Sequence, residues 1–105
     1  MEVIYHPKAD DEVLESAKFY EQRSKGLGWR FLSAVRDAGI RIARSPHAFP
    51  FLDDPVLDDP VRKCVVAGFP FNLLFQIDDD SLVVVAVAHQ RRRPGYWRRR
   101  LRGRG

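Results

Sequence analysis

The fold is decided by the stretch Phe71-Asn-Leu-Leu-Phe-Gln-Ile-Asp-Asp-Asp-Ser-Leu-Val-Val-Val-Ala-Val-Ala88. Its first run carries apolar side chains at every second position, which predicts a strand with a buried face. Residues 82–88 are apolar without any alternation, which predicts a strand buried on both sides and therefore central in its sheet. The polar residues 78–81 between the two runs suit a tight hairpin. We therefore expect two adjacent antiparallel strands in the middle of a sheet.

The residues upstream supply the other elements of the fold. Residues 61–67 form a third β-rich run after the loop 46–60, which holds four of the seven prolines and excludes regular structure. Residues 8–23 and 27–44 carry apolar side chains at helical spacing on either side of a short glycine-containing break, which predicts an antiparallel helical hairpin. A short strand before Pro7 completes the chain.

The order β-α-α-β-β-β predicts an α+β fold in which the helical hairpin covers one face of a small, twisted, mainly antiparallel sheet. We expect residues 1–105 to form a single domain, because this length supports one core but not two. A composition of 45% hydrophobic and 30% charged residues is typical of a globular protein. The chain has neither a membrane-length apolar run nor a signal segment, so we expect it to be cytoplasmic.

Charge is segregated along the chain. Residues 89–105 hold eight of the fourteen arginines and no acid, whereas residues 1–88 carry ten basic against fourteen acidic residues. Such a tail predicts a polyanionic partner, because guanidinium groups match phosphate oxygens and Tyr96 and Trp97 offer flat faces for stacking. The alternative is a solvated end that only aids solubility. Residues 94–105 form a basic tail, and its end has too little apolar content to enforce a structure.

The candidate site follows from where the strands end. The central strand is followed at once by His89 and Arg91, and Arg62 opens the first strand after the loop. We expect the start of that strand to meet the end of the central one, which would gather a basic zone with Tyr96 folded back over it. Metal-free RNA cleavage needs a general base, cations for the phosphorane and an acid. We therefore predict Arg62, His89 and Tyr96 as catalytic residues.

Further residues are predicted to bind nucleic acid or an acidic protein partner. They are Lys63, Arg91, Arg92, Arg93, Trp97 and Arg98. In the alternative interpretation His89 merely caps its strand, the arginines hold an acidic protein, and Arg62 and Lys63 protect a strand edge. The spacing of Cys and His indicates no metal site, and no cofactor is expected. Cys64, in an apolar run, is expected to be a buried small hydrophobe.

A resemblance to a known family rests on several short segments in a fixed order. They are Val3-Ile-Tyr-His-Pro7, Phe19-Tyr-Glu21, Gly26-Leu-Gly-Trp-Arg-Phe-Leu32, Ser45-Pro-His-Ala-Phe-Pro50, Val61-Arg-Lys63, Phe69-Pro-Phe71 and Val85-Ala-Val-Ala-His-Gln-Arg-Arg-Arg-Pro-Gly-Tyr-Trp97. In this order the chain resembles the RelE/ParE superfamily of type II toxin–antitoxin toxins, also described as plasmid stabilisation proteins. The resemblance covers nearly the whole chain.

The resemblance implies one of two activities. RelE-like members cut messenger RNA on the ribosome without metal; Arg62 then looks like their strand arginine and Tyr96 like their C-terminal tyrosine, while Gln90 stands where many of them have an arginine. ParE-like members poison DNA gyrase by protein contact, and the ending His-x-Arg-Arg-Arg-Pro-x-Tyr-Trp looks closer to that group. Either way the resemblance implies a cognate acidic antitoxin and a toxin–antitoxin hetero-oligomer.

Two hypotheses therefore stand. The first is a growth-inhibiting toxin acting on the ribosome and its mRNA or on DNA gyrase, with no membrane involved. The second is a basic module without catalysis, an inactive toxin remnant, that only holds a protein or a nucleic acid.

Overall fold

The computed structural model describes residues 1–52 and 60–101. Its regular elements are β1 (Glu2–Tyr5), α1 (Pro7–Arg23), α2 (Leu27–Arg44), β2 (Arg62–Val65), β3 (Phe71–Asp78) and β4 (Ser81–His89), with short 3₁₀ turns at Pro46–Ala48 and Arg98–Arg100. Within these residues the sheet has the strand order β1-β4-β3-β2. β1 runs parallel to β4, and the other neighbours are antiparallel. The predicted α+β fold and the central place of the third C-terminal run are confirmed.

Each helix of the hairpin is stabilised at its N-terminus by a side chain that accepts backbone N–H groups. Pro7 occupies the first turn of α1, and Nδ1 of His6 accepts the backbone N–H of Lys8 at 3.1 Å. At the start of α2 the carboxylate of Glu21 accepts the N–H groups of Gly26 and Gly28, which would otherwise lack partners. A carboxylate at this position also complements the helix dipole. The break between the helices is therefore held by α1 itself.

The core lies on both faces of the sheet. Between the helices and the sheet, the rings of Phe31 and Phe71 pack with centroids 5.0 Å apart, and Phe31 is fully buried. On the opposite face a second cluster joins Leu74 and Ala88 to Trp97 from the C-terminal segment. β4 is covered on both sides, which explains why its sequence shows no alternation.

The edge strand β2 is covered by the chain that precedes it. The N–H of Leu52 donates to the carbonyl of Val61 at 2.7 Å, and that of Lys63 donates to the carbonyl of Pro50 at 3.0 Å. Phe51 thereby forms a bridge with Arg62. Part of the stretch predicted to be an irregular loop, residues 46–60, thus pairs with the sheet, and residues 53–59 lie outside the described part. No helix in that part is long and apolar enough to cross a membrane.

Candidate functional site

Beyond the end of β1, side chains provide the hydrogen-bond partners for backbone groups along the free side of β4. β1 ends at Tyr5, opposite Val84, and the following N–H donates to the Val84 carbonyl at 2.9 Å. Further along β4, the N–H of Val87 donates to Oε1 of Glu12 at 3.0 Å. The carbonyl of Val85 accepts a hydrogen bond from the Arg100 guanidinium at 3.1 Å. One acid from α1 and one arginine from the C-terminal segment therefore satisfy backbone groups that a longer β1 would have paired.

Glu12 is also the attachment point of the C-terminal segment. Its side chain is 9% exposed, and it accepts the hydroxyl of Tyr96 at 2.6 Å. Arg100 binds the same carboxylate with both terminal nitrogens, at 2.9 and 3.2 Å. Arg92 lies 3.6 Å from Oε2 with a side chain that is 55% exposed. Glu12, Arg92, Tyr96 and Arg100 are called the Glu12 cluster below. Within it a buried carboxylate has the charge partners and hydrogen bonds that its burial requires.

The hydroxyl of Tyr96 donates its hydrogen bond within the Glu12 cluster. Burial of the ring, followed by the hydrogen bond to Glu12 and the negative charge of that carboxylate, raises the pKa of Tyr96 well above its ordinary value. The guanidinium of Arg92 lies over the ring, with its carbon 3.9 Å from the centroid. One face of the tyrosine is therefore covered, and its hydroxyl is already engaged by an acid.

A pocket of about 390 Å³ opens on the sheet face opposite the helices, between β3, the end of β4 and the C-terminal segment. We call it the Asn72 pocket. Leu74 and Ala88 form its apolar floor, and Arg92 and Arg93 lie in its wall. Oδ1 of Asn72 is buried and accepts no hydrogen bond from any residue of the described part. Such an unpaired buried acceptor is uncommon in folded proteins, because it loses its hydration without compensation.

His89 lies at the end of β4, opposite Phe71, and their rings pack edge to face at 5.1 Å. Its Nδ1 accepts the backbone N–H of Arg91 at 3.0 Å. The neutral imidazole therefore carries its proton on Nε2. This contact agrees with the alternative interpretation, in which His89 caps its strand.

The predicted meeting of Arg62 with His89 is wrong. Arg62 pairs with Phe75 in the middle of β3, whereas His89 pairs with Phe71 at the start of β3. At roughly 3.3 Å per residue, this difference in register separates the two residues by about 13 Å along the strands. β2 and β4 are both antiparallel to β3, so they run in the same direction. The start of β2 therefore lies at the same end of the sheet as the start of β4, and not at the end where β4 finishes.

Arg62 is used locally. Its Nη1 donates to the carbonyls of His47 and Phe49, at 3.2 and 2.7 Å. Its guanidinium carbon lies 3.9 Å from the ring centroid of Phe51. Arg62 thus fastens the segment that covers β2, which agrees with the alternative that it protects a strand edge.

Tyr96 packs against the cluster on the sheet face opposite the helices and lines the Asn72 pocket together with His89. Arg62 does not line this pocket and pairs with Phe75, which belongs to the core beneath the helices. The structure therefore does not bring the three residues predicted as catalytic together.

Of the residues predicted to bind a partner, Trp97 does not fit the expected stacking role. It is 4% exposed and packs in the core, because its indole fills the space above Leu74 and Ala88. Lys63 and Arg98 are exposed, and Arg98 folds against Gly95. Arg91, Arg93 and Arg99 are exposed and form no ion pair with any described residue, and we call them the outward arginines.

Sequence reasoning missed Glu12 and Asn72. Glu12 follows Ala9 by three positions and precedes Ala17 by five, so it lies on the apolar stripe of α1, where an acid needs a partner. An acid on this stripe could therefore have been identified from the sequence as a residue that needs a buried partner. Asn72 gave none, since a polar residue next to Phe71 fits the outward positions of an ordinary strand.

Cys64 is buried, as expected, and burial raises the pKa of its thiol. Among the described residues, no group of three His, Cys, Asp or Glu side chains is arranged to hold a metal ion. The site therefore offers hydrogen-bond donors, guanidinium groups and one unpaired acceptor.

A helical hairpin on a small mixed sheet, with an arginine-rich segment folded back over the free face, defines a small α+β protein of RelE/ParE-like architecture. The family of ParE toxins of type II toxin–antitoxin systems, parDE, matches residues 3–94. The chain belongs to this family and is a type II toxin–antitoxin toxin. No curated protein sequence matches the chain. The matched range ends at Pro94, before Tyr96 and Arg100 of the Glu12 cluster.

Proposed function

We propose that this toxin inhibits bacterial growth as a ParE-like poison of DNA gyrase, acting in the cytoplasm by protein contact, and that a cognate acidic antitoxin neutralises it. The family membership supports a toxin with an antitoxin partner. The choice of gyrase over the ribosome rests on one observation: Arg62 lies about 13 Å along the strands from His89 and is engaged by the carbonyls of His47 and Phe49.

Arg62 and Tyr96 of the proposed nuclease set already have partners within the chain. Arg62 binds two backbone carbonyls, and the Tyr96 hydroxyl donates to Glu12. In the nuclease hypothesis Arg62 would hold the phosphate on which His89 acts. A separation of about 13 Å along the strands, with the Arg62 guanidinium engaged by two carbonyls, does not support this arrangement. A poison that acts by binding needs no such convergence.

The outward arginines are the surface we assign to target and antitoxin contact. They extend from one short segment that the Glu12 cluster fixes to the sheet, so their positions are preorganised. Unpaired guanidinium groups attract acidic partners over a Debye length and accelerate their capture. An acidic antitoxin segment that covers them would both bind tightly and block the target.

The direct test is a supercoiling assay with purified gyrase and purified toxin. We expect the toxin to inhibit supercoiling and to accumulate cleaved DNA, and we expect primer extension on translated messages to show no new 5′ ends. The triple variant R91Q/R93Q/R99Q should lose inhibition. The control is R30Q/R36Q/R44Q, which removes the same charge from exposed positions of α2.

Three results would contradict the proposal. New 5′ ends in translated messages would point to RNA cleavage. Normal growth with soluble toxin present would favour an inactive remnant. Equal loss of inhibition in both triple variants would mean that total charge, and not the C-terminal segment, governs the contact.

A further inference from the structure

The outer side of α2 carries exposed apolar and charged side chains. Trp29 is 73% exposed and Ile40 is 40% exposed. Arg30 and Asp37 are exposed and form no ion pair with any described residue. Tryptophan and arginine are among the residue types that most often anchor protein interfaces. This side of α2 therefore has the composition of a surface that binds another protein.

These four residues lie on one face of the helix together with Ser33. An α-helix turns by about 100° per residue, so Arg30 and Asp37, seven residues apart, differ in direction by only about 20°. Trp29 and Ile40, eleven residues apart, also differ by about 20°. The buried side chains of α2 point to the other side of the helix. We call the surface formed by Trp29, Arg30, Ser33, Asp37 and Ile40 the α2 face.

The α2 face is complementary to itself. A two-fold axis that crosses the helix midway between Arg30 and Asp37 would place Arg30 of each copy opposite Asp37 of the other. The same axis brings Trp29 close to Ile40 of the second copy, because the midpoint of these two residues lies only about 1.5 Å further along the helix. Ser33 lies at the crossing point, where a small side chain lets two helices approach to about 8 Å. Opposite charges thus meet, and the apolar side chains cover each other.

We propose that two copies of the toxin associate through the α2 face as an antiparallel dimer with two-fold symmetry. Two Arg30–Asp37 ion pairs set the direction and register of the helices, and two Trp29–Ile40 contacts bury the exposed apolar side chains. The contact does not use the outward arginines, which belong to the C-terminal segment. The inference goes beyond the proposed function and does not depend on the target, because association is measured on the toxin alone.

Sedimentation equilibrium of the purified toxin measures the association. Each copy contributes a single helix, so we expect a dissociation constant of roughly 1–100 μM. Arg30→Asp and Asp37→Arg each place like charges opposite one another at two positions, and each should raise the dissociation constant about tenfold or more. The two substitutions change the net charge in opposite directions, so a general charge effect would move the two constants in opposite directions.

Exchange of the charges provides the sharpest test of the register. The double variant Arg30→Asp/Asp37→Arg restores opposite charges at both positions and should associate like the unmodified toxin. An equimolar mixture of the two single variants should form heterodimers, because each variant presents the charges that the other lacks. Lys18→Asp is the control, since Lys18 is exposed on α1, and it should leave the dissociation constant unchanged.

Acrylamide quenching of tryptophan fluorescence tests whether Trp29 lies in the contact. The chain has two tryptophans, and Trp97 is only 4% exposed, so quenching in the monomer comes from Trp29. We expect the quenching constant to fall by about twofold as the protein concentration rises through the dissociation constant, and to stay constant in Arg30→Asp. Trp29→Ala should raise the dissociation constant about tenfold.

Several results would overturn the proposal. They are a toxin that stays monomeric up to about 500 μM, single charge variants that associate as well as the unmodified toxin, and a mixture of these variants that stays monomeric. Melting temperatures within about 4 °C of the unmodified protein establish that the exposed substitutions leave the fold intact, so that a change in association is assigned to the α2 face.

Discussion

Replacement of Glu12 by alanine is the perturbation that tests the structure most directly. The carboxylate accepts hydrogen bonds from the Val87 N–H, the Tyr96 hydroxyl and both terminal nitrogens of Arg100. Alanine would leave a strand N–H and a guanidinium, both largely buried, without partners. Removing one member of a buried charge pair costs about 3–5 kcal/mol, because the remaining charge stays desolvated.

We adopt this range for the loss in free energy of unfolding and do not add the separate bonds. The contributions of contacting groups are not additive, and Arg92 adds little because its side chain is 55% exposed. For a domain of this size each kcal/mol lowers the melting temperature by about 4–8 °C, so Glu12→Ala should melt at least about 12 °C below the unmodified protein. Glu12→Gln keeps the shape and one acceptor oxygen, and we expect about 1.5–3 kcal/mol from the lost charge.

The assay combines urea unfolding with amide hydrogen exchange. Glu15→Ala is the matched control, since Glu15 lies one turn further along α1 and is exposed. We expect the control to stay within about 0.5 kcal/mol. In Glu12→Ala the Val87 amide should exchange faster than its strand neighbours, which distinguishes loss of this contact from general weakening. A change below about 1 kcal/mol, with Val87 still protected, would refute the reasoning about buried charge.

Three further predictions concern titration, helix contact and partner binding. The pKa of Tyr96 in the folded protein lies above its ordinary value of 10.0, so the stabilisation by this residue is fully present below about pH 10 and is lost as the pH rises further. In urea unfolding, the free energy of unfolding should therefore fall more steeply at alkaline pH in the unmodified protein than in Tyr96→Phe. Parallel curves for the two proteins would contradict this. Gly28→Ala should lower the free energy of unfolding by about 1–3 kcal/mol, because the added Cβ would lie 2.6 Å from the Ala17 carbonyl oxygen. Gly39→Ala, whose Cβ would meet only the Tyr5 hydroxyl at the end of a side chain, should lower it clearly less in the same thermal unfolding experiment. Binding of the antitoxin, followed by calorimetry, should weaken markedly with added salt and should depend less on salt when the outward arginines are replaced; an affinity independent of salt would contradict the assigned surface.

The fold was predictable from the sequence because its signals are local. The alternation in β3, the uniformly apolar β4 and the helical stripes each depend on a few neighbouring residues, and the structure confirms their order. The pairing of residues 50–52 with β2 was not predicted, because the prolines of this stretch argue against a strand. A single bridge at Phe51, made between prolines, is compatible with them.

The site was less predictable because it depends on contacts between distant residues. The expected zone around Arg62 and His89 failed because two consecutive antiparallel pairings make β2 and β4 run in the same direction, a consequence of the predicted topology that the expectation overlooked. The buried position of Trp97, in contrast, could not be derived. An aromatic residue in a charged segment is equally compatible with stacking on a ligand and with packing on a sheet, and only the uncovered face above Leu74 decides between them.

Net charge by itself overstates what the C-terminal segment offers to a partner. Arg92 and Arg100 bind Glu12, so part of the positive charge is neutralised by an acid of the same chain. Among the described arginines of the segment, Arg92 and Arg100 fix it to Glu12, whereas the outward arginines remain accessible. An acidic partner that binds the outward arginines need not break the Glu12 cluster, because Glu12 is buried and holds Arg100 with two hydrogen bonds. The cluster therefore separates the stability of the segment from its capacity to bind, and replacing the outward arginines should change affinity while leaving the fold intact.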